Sequence, residues 1–140
     1  MSVVGLGVDA VELDRFRRVL ARTPGVARRL FTEDERAYGT RFRDPTGRLA
    51  ARFAAKEAAM KALGVGLGAF GFHEVEVVRA PSGQPHLRVV GGAAELARSR
   101  GVGGWRVSLT HTDRLAQAVV VAVSEGAAGA EGPAGGGARS

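Results

Sequence analysis

The sequence contains no cysteine. Thiol catalysis, cysteine-ligated zinc, iron–sulfur clusters and a disulfide framework are all excluded by that absence. No apolar run approaches the ~18 residues that a membrane-spanning helix requires. Aromatic residues make up only 6% of the chain, and no helix–turn–helix or RNP pattern is visible. Both facts weigh against a dedicated nucleic-acid reader. Acidic residues are in deficit, 14 Asp+Glu against 20 Lys+Arg, which leaves a net charge of +6. Lysine itself occurs only at Lys56 and Lys61; every other basic residue is arginine. The first residues, MSVVGLGVDAVELDR, put acids where a signal peptide would keep an apolar run and a cleavage site, so a cytoplasmic protein is expected.

What is present is one domain's worth of chain, 140 residues, 45% hydrophobic and 24% charged, a globular balance. The arginine bias reads mostly as coding composition. The net positive charge still predicts attraction to an anionic partner: nucleic acid, a phosphorylated metabolite or an acidic protein. Residues Gly126–Ser140 (GAAGAEGPAGGGARS) hold no large apolar side chain and cannot offset their own ordering entropy. A disordered tail at 126–140 and a folded domain at 1–125 follow.

Val3–Val8 is apolar and β-branched, a strand. Leu13, Phe16, Val19 and Leu20 recur at helical spacing within Glu12–Arg22. Thr32-Glu33-Asp34-Glu35 is a capping box that opens a short helix. The Ala-rich stretch Arg48–Leu63 is the strongest helix, with Gly64 as its C-cap. Phe72–Arg79 and His86–Val90 read as strands joined by Pro81–Pro85, and Ala93–Arg100 reads as a helix. Trp105–Thr110 alternates like a strand, and Leu115–Val123 is apolar enough to be buried on both faces. The order β-α-α-α-β-β-α-β-β describes an α+β domain, a mainly antiparallel sheet packed with helices.

Gly5-Leu6-Gly7-Val8-Asp9-Ala10 fits a loose dinucleotide fingerprint, but only two strand residues precede it and the helix begins later. The glycines instead mark strand positions approached by another backbone. Asp9 is either a cap for the following helix or a metal ligand. Gly64-Val65-Gly66-Leu67-Gly68 follows a helix, so it is neither a P-loop nor a Rossmann turn. It is a C-cap with a flexible connection, or a backbone that closely approaches a nucleotide. In the helix between them, Glu57 and Lys61 share one face, and Arg52 and Lys56 share another beside it. A surface Glu–Lys pair would contribute only ~0.2–0.5 kcal/mol. Yet the two lysines of an arginine-rich chain flank one carboxylate, as a polyphosphate–metal site would use them. His111 falls by parity with Trp105, Val107 and Leu109 on the buried side of its strand. His73 and His86 sit in ordinary strands, which makes zinc improbable. Arg15, Arg17, Arg18, Arg22, Arg28 and Arg29 form an acid-free run, either a solvated face or a docking site for an acidic helix or a nucleic acid backbone.

Five stretches, GLGVDAVELDRF (5–16), FTEDE (31–35), ARFAAKEAAMKALGVG (51–66), SGQPHL (82–87) and SLTHTDRLAQAVVVA (108–122), stand in the order found in one family. Together they resemble the holo-acyl-carrier-protein synthases, the small trimeric 4′-phosphopantetheinyl transferases. The resemblance implies transfer of phosphopantetheine from coenzyme A to a serine of an acidic acyl carrier protein, with release of 3′,5′-ADP, in fatty acid or polyketide biosynthesis. It also implies magnesium as cofactor, a homotrimer with sites between subunits, and no nucleic-acid or membrane partner. Carried over by motif, Asp9 and Glu57 would hold the magnesium, and Lys61 would contact phosphate beside Glu57. His111 would lie near the coenzyme A phosphates, and Arg15, with Arg22 along the same face, would meet the carrier. The expected nucleotide-binding set is Arg52, Lys56, Lys61, Gly64, Gly66 and His111; the expected catalytic set is Glu57, Lys61 and His111. SLTH stands where SLSH is commoner, and Thr112 where some relatives place Asp, so Asp113 receives no role. A base must take the serine proton, and Glu57, a water on the metal and His111 are the candidates. The competing readings are a basic nucleic-acid-binding module and a non-catalytic oligomeric scaffold.

Overall fold

The structure, a computed structural model, describes residues 1–124. The expected tail, together with Glu125, lies outside the described residues. Strand β1 (Val3–Glu12) leads into helices α1 (Leu13–Arg22), α2 (Val26–Leu30), α3 (Glu33–Gly39) and α4 (Thr46–Ala62). A single 3-10 turn (Phe72–Glu74) then opens the hairpin β2 (Val75–Arg79) and β3 (Pro85–Val89). Helix α5 (Gly91–Ser99) and strands β4 (Val102–His111) and β5 (Leu115–Ser124) complete the domain. The expected order is the observed one, with the five-residue α2 added after Gly25, whose φ of 92° turns the chain. One antiparallel sheet has the order β1-β5-β4, and β2-β3 forms a second.

Helix α4 is the axis of the fold, packed against β1, β5 and β4 on one side and against α1, α3 and β2 elsewhere. Its alanines explain how. Ala54, Ala55, Ala58 and Ala59 are fully buried and leave the helix backbone uncovered. Glycines on β1 complete the contact: a Cβ on Gly5 would lie 2.0 Å from the Ala62 carbonyl oxygen, and one on Gly7 would lie 1.8 Å from that of Ala58. Strand and helix therefore touch backbone to backbone, the reason expected for these glycines.

Three elements differ from their sequence reading. Strand β1 runs past Val8 to Glu12, because antiparallel pairing with β5 continues through Glu12 opposite Leu115. Phe72–Glu74 is a 3-10 turn rather than strand, and Glu74 Oε1 there accepts a 2.9 Å hydrogen bond from the Ala93 amide. This bond caps α5, whose own N-cap Val90 offers no side-chain acceptor. Finally, β5 is buried through Ala116, Ala118, Val120 and Ala122 against α4, but the other face of the sheet is open. Leu6, Val8 and Val119 on that face are 60%, 48% and 38% exposed. Among the described residues no helix is long and apolar enough to cross a membrane.

Candidate active site

Asp9 lies inside β1, two residues beyond Gly7 on the face that meets α4. It does not cap α1: that helix starts at Leu13, and its N-cap is Glu12, with no side-chain cap hydrogen bond. Instead Lys61 Nζ donates to Asp9 Oδ1 at 3.1 Å and to the Val8 carbonyl at 3.0 Å. Lys61 thus reaches from α4 to β1. Glu57, one helical turn earlier, is partly buried between them. Burial, and then the negative charge of Asp9, hold its carboxyl above the usual glutamate range, while Lys61 pulls it down. Two carboxylates therefore repel each other across a site holding a single ammonium. Among the described residues no three His, Cys, Asp or Glu side chains gather, but magnesium commonly binds through one or two carboxylates with waters and substrate phosphates. Asp9 and Glu57 fit that ion.

The pair stands at the edge of a cleft of about 710 Å³, lined among others by Glu12, Arg15, Phe16 and Phe53. Phe53 stacks on Phe16 at 5.6 Å and fixes the wall between α4 and α1. Arg15 reaches the cleft, and Arg22 is exposed in the last turn of α1. Arg17 leaves the arginine run: it pairs with Asp14 at 3.1 Å and Asp44 at 3.0 Å.

His111 is exposed, not buried as its parity suggests. The parity is right, but β4 continues past the core, and the His111 ring lies over Gly47 at the start of α4. A Cβ there would come within 2.6 Å of it. The ring borders a second pocket, of about 220 Å³, lined by Tyr38, Arg48, Arg52, Arg79, Thr110 and His111, with no carboxylate among its lining residues. Arg52 is 2% exposed. Burial lowers its pKa, Tyr38 and the Glu35 charge oppose that shift, and Arg79 adds to it. Arg52 and Glu57 lie five residues apart on α4, hence ~140° around the helix and ~7.5 Å along it. The carboxylate pair and the arginine pocket consequently occupy different sides of α4 in one chain.

Lys56 must be withdrawn from the nucleotide-binding set. Its ammonium is fully buried, 2.8 Å from Glu35 Oε1, and donates to the Phe72 and Val75 carbonyls at 2.9 and 2.6 Å. Burial lowers its pKa, and the adjacent Glu35 carboxylate acts in the opposite sense. The face shared by Arg52 and Lys56 packs on α3 and β2 rather than on solvent. Glu35 also closes the capping box with Thr32 and accepts the Val77 amide at 2.8 Å, so one carboxylate ties α3, α4 and β2 together. Sequence reasoning found the capping box and missed these longer-range partners. It also missed Tyr38, Arg48 and Arg79, which carry no local signal. The C-cap of α4 is Leu63, one residue before the expected Gly64; Gly64 follows it with the left-handed φ of 73° that ends the helix, and Gly66 lies exposed beyond. The Gly64–Gly66 loop leaves the helix at its Lys61 end.

The family model of the 4′-phosphopantetheinyl transferase superfamily matches residues 5–120. A holo-[acyl-carrier-protein] synthase of Frankia casuarinae is 50% identical over 122 residues, covering 87% of this chain and 98% of that protein. Among solved structures, the holo-[acyl-carrier-protein] synthase of Neisseria meningitidis superposes with a TM-score of 0.78 at 30% identity, covering 86% of this chain and 98% of that one. The Bacillus anthracis synthase, solved in complex with CoA (3′,5′-ADP), gives a TM-score of 0.74 at 31% identity, covering 89% and 99%. With the carboxylate pair, the Ala-rich helix and the β1-β5-β4 sheet all in place, the chain belongs to the 4′-phosphopantetheinyl transferase superfamily and, within it, to the holo-[acyl-carrier-protein] synthases.

Proposed function

We propose that this protein transfers 4′-phosphopantetheine from coenzyme A to a serine of an apo acyl carrier protein, releasing 3′,5′-ADP, in the cytoplasm and in support of fatty acid biosynthesis. The observation that carries the reading is the meeting of Asp9 and Glu57 at one cleft, with Lys61 bonded to Asp9, in a chain of this family. The serine Oγ attacks the phosphorus that bears the pantetheine. The bond from that phosphorus to the bridging oxygen breaks, and its electron pair leaves with 3′,5′-ADP. Asp9 and Glu57 would hold magnesium, which would supply charge neutralisation for the pyrophosphate and the leaving group. Lys61, already fixed on β1, donates to a phosphate oxygen as a point charge. Glu57 stands in the cleft and is the candidate base nearest to it; His111 of the same chain borders the other pocket.

Coenzyme A carries a reacting pyrophosphate and a separate ribose 3′-phosphate. The carboxylate–lysine group suits the first, and the arginine pocket at His111 suits the second. Because the two lie on different sides of α4, we assign the arginine pocket to the neighbouring copy in a homotrimer. The open sheet face supports this: fully burying an apolar side chain is worth ~1.5–3 kcal/mol, and Leu6, Val8 and Val119, each part-exposed, would gain about half of that. Arg15 and Arg22 meet the acidic carrier helix beside the cleft.

The test is direct. The protein is incubated with coenzyme A, magnesium and an apo carrier protein, and the carrier is weighed. A gain of one phosphopantetheine is expected; an unchanged mass under these conditions refutes the activity. A monomeric mass by sedimentation refutes the shared site.

A further inference from the structure

Tyr38, the chain's single tyrosine, stands among three guanidiniums. Those of Arg52, Arg79 and Arg41 lie 4.2, 5.6 and 5.7 Å from its ring centroid, and the Phe42 ring meets it at 5.1 Å. The Arg52 surroundings are unusual for a buried charge. Glu35, a neighbouring buried acid, is bound to Lys56 and to the Thr32 and Val77 amides. Arg52 Nε is buried with no hydrogen-bond partner, and the guanidinium's hydrogen bond to the Arg48 carbonyl is long, at 3.4 Å. A buried guanidinium without a carboxylate is costly unless another group compensates it. Here the face of an aromatic ring does so, with the Glu35 charge adding to it from nearby. Arg52 borders two pockets: the larger is lined by Asp34, Glu35 and Glu76, and the one at His111 contains no acid.

We propose that Tyr38 is a positioning residue: its ring holds the Arg52 guanidinium toward the pocket at His111 and so sets the preference for a coenzyme A that bears a ribose 3′-phosphate. The inference rests on the transferase reading above and goes further than it. Arginine binds phosphate through a planar fork, so the plane of the guanidinium decides how many of its donors face the anion. Contact with the Tyr38 ring, 4.2 Å away, restricts that plane. With the ring removed, Arg52 is free to turn back toward the helix carbonyls. The donors that would meet the phosphate are then lost, while the reacting pyrophosphate, on Lys61 and the carboxylate pair, is untouched.

The experiment compares coenzyme A with 3′-dephospho-coenzyme A as donors. The full-length protein is used, with magnesium and apo carrier, as wild type, Tyr38→Leu and Tyr38→Phe. The wild type should favour coenzyme A. Tyr38→Leu should raise the KM for coenzyme A roughly ten- to thirtyfold, the loss of a desolvated cation–π contact, and shift the KM for the dephospho donor less than about twofold. Tyr38→Phe keeps the π face and should restore the wild-type KM, which a purely structural role of the hydroxyl would not allow. If Tyr38→Leu fails to fold, Tyr38→Met fills the space without a π face and takes its place in the comparison. Equal rises for both donors, an unchanged KM for coenzyme A, or failure of Phe to rescue would each overturn the proposal. A wild type that uses both donors equally would also overturn it and leave the transferase reading standing; a wild type inactive with coenzyme A would remove that reading itself.

Discussion

Replacing Gly7 with alanine would test whether the carboxylate site depends on backbone contact between β1 and α4. The added Cβ would lie 1.8 Å from the Ala58 carbonyl oxygen, 2.8 Å from the carbonyl carbon and 2.9 Å from the Ala62 nitrogen. All three are backbone atoms of a buried helix, so no side chain can swing aside. Ordinary contact begins at 3.4 Å, so relief along the shortest contact alone requires 3.4 − 1.8 = 1.6 Å of retreat. Overpacking costs ~1–3 kcal/mol where side chains adjust, and this backbone clash at least the upper end of that, against a gain of ~0.4–1 kcal/mol from the stiffer unfolded chain. The fold should survive, with a lowered melting temperature. Function should suffer more. Gly7 and Asp9 share a strand face, so the retreat carries Asp9 away from Glu57 and Lys61. A misplacement of ~1 Å at a reacting centre can cost ~100-fold in rate. Transfer should therefore fall by about two orders of magnitude, with a higher magnesium concentration for half-maximal rate. The assay is carrier mass gain over time across a magnesium series, with circular dichroism to verify folding. A folded Gly7→Ala protein with wild-type rate at limiting magnesium would refute the argument.

Other outcomes follow from the same geometry. Asp9→Ala or Glu57→Ala should abolish magnesium-dependent transfer while leaving circular dichroism unchanged; near-normal rates in both would exclude them as the metal ligands. Lys56→Met strands Glu35 in the core and should cost ~3–5 kcal/mol in denaturant unfolding, whereas Lys56→Met with Glu35→Leu should recover part of that loss. Arg15→Glu with Arg22→Glu should raise the KM for the carrier and weaken its salt dependence, with little change for coenzyme A; equal effects on both substrates would make these arginines a solvated face. Folded Glu57 keeps its proton to higher pH than the unfolded chain does, so without divalent metal stability should fall as pH rises above the usual glutamate range. Thermal melts of wild type and Glu57→Gln across that range test this, and equal slopes would show that Glu57 is not the cause.

Local signals in the sequence carried most of the fold. The alanines of α4, the capping box at Thr32 and the helix-ending glycine at Gly64 specify their elements within a few residues; the first two stand where expected, and the C-cap falls one residue earlier, at Leu63. The close approach at Gly5 and Gly7 was legible too, because glycine in an apolar strand has few other uses. Burial at element ends and partners across the chain were not legible. Helical spacing puts Arg52 and Lys56 on one face but cannot say that α3 covers it, since the Glu35–Lys56 pair spans 21 residues and forms only once α3 packs. Strand alternation gives the side on which His111 lies, but not the point at which the core ends. Glu57 and Lys61, at i and i+4, suggest a pair with each other; the tertiary fold gives Lys61 to Asp9, 52 residues away.

The separation of the carboxylate pair from the arginine pocket across α4 has a genetic consequence. In the proposed trimer each site takes Asp9 and Glu57 from one copy and His111 and Arg52 from the next. An inactive Asp9→Ala chain and an Arg52→Ala chain, impaired only by its raised KM for coenzyme A, should therefore complement at limiting coenzyme A when refolded together, because some interfaces will join the intact half of one to the intact half of the other. The doubly substituted chain mixed with wild type should act the opposite way and poison the sites on both sides of itself. Inheritance of activity would then follow the interface rather than the polypeptide.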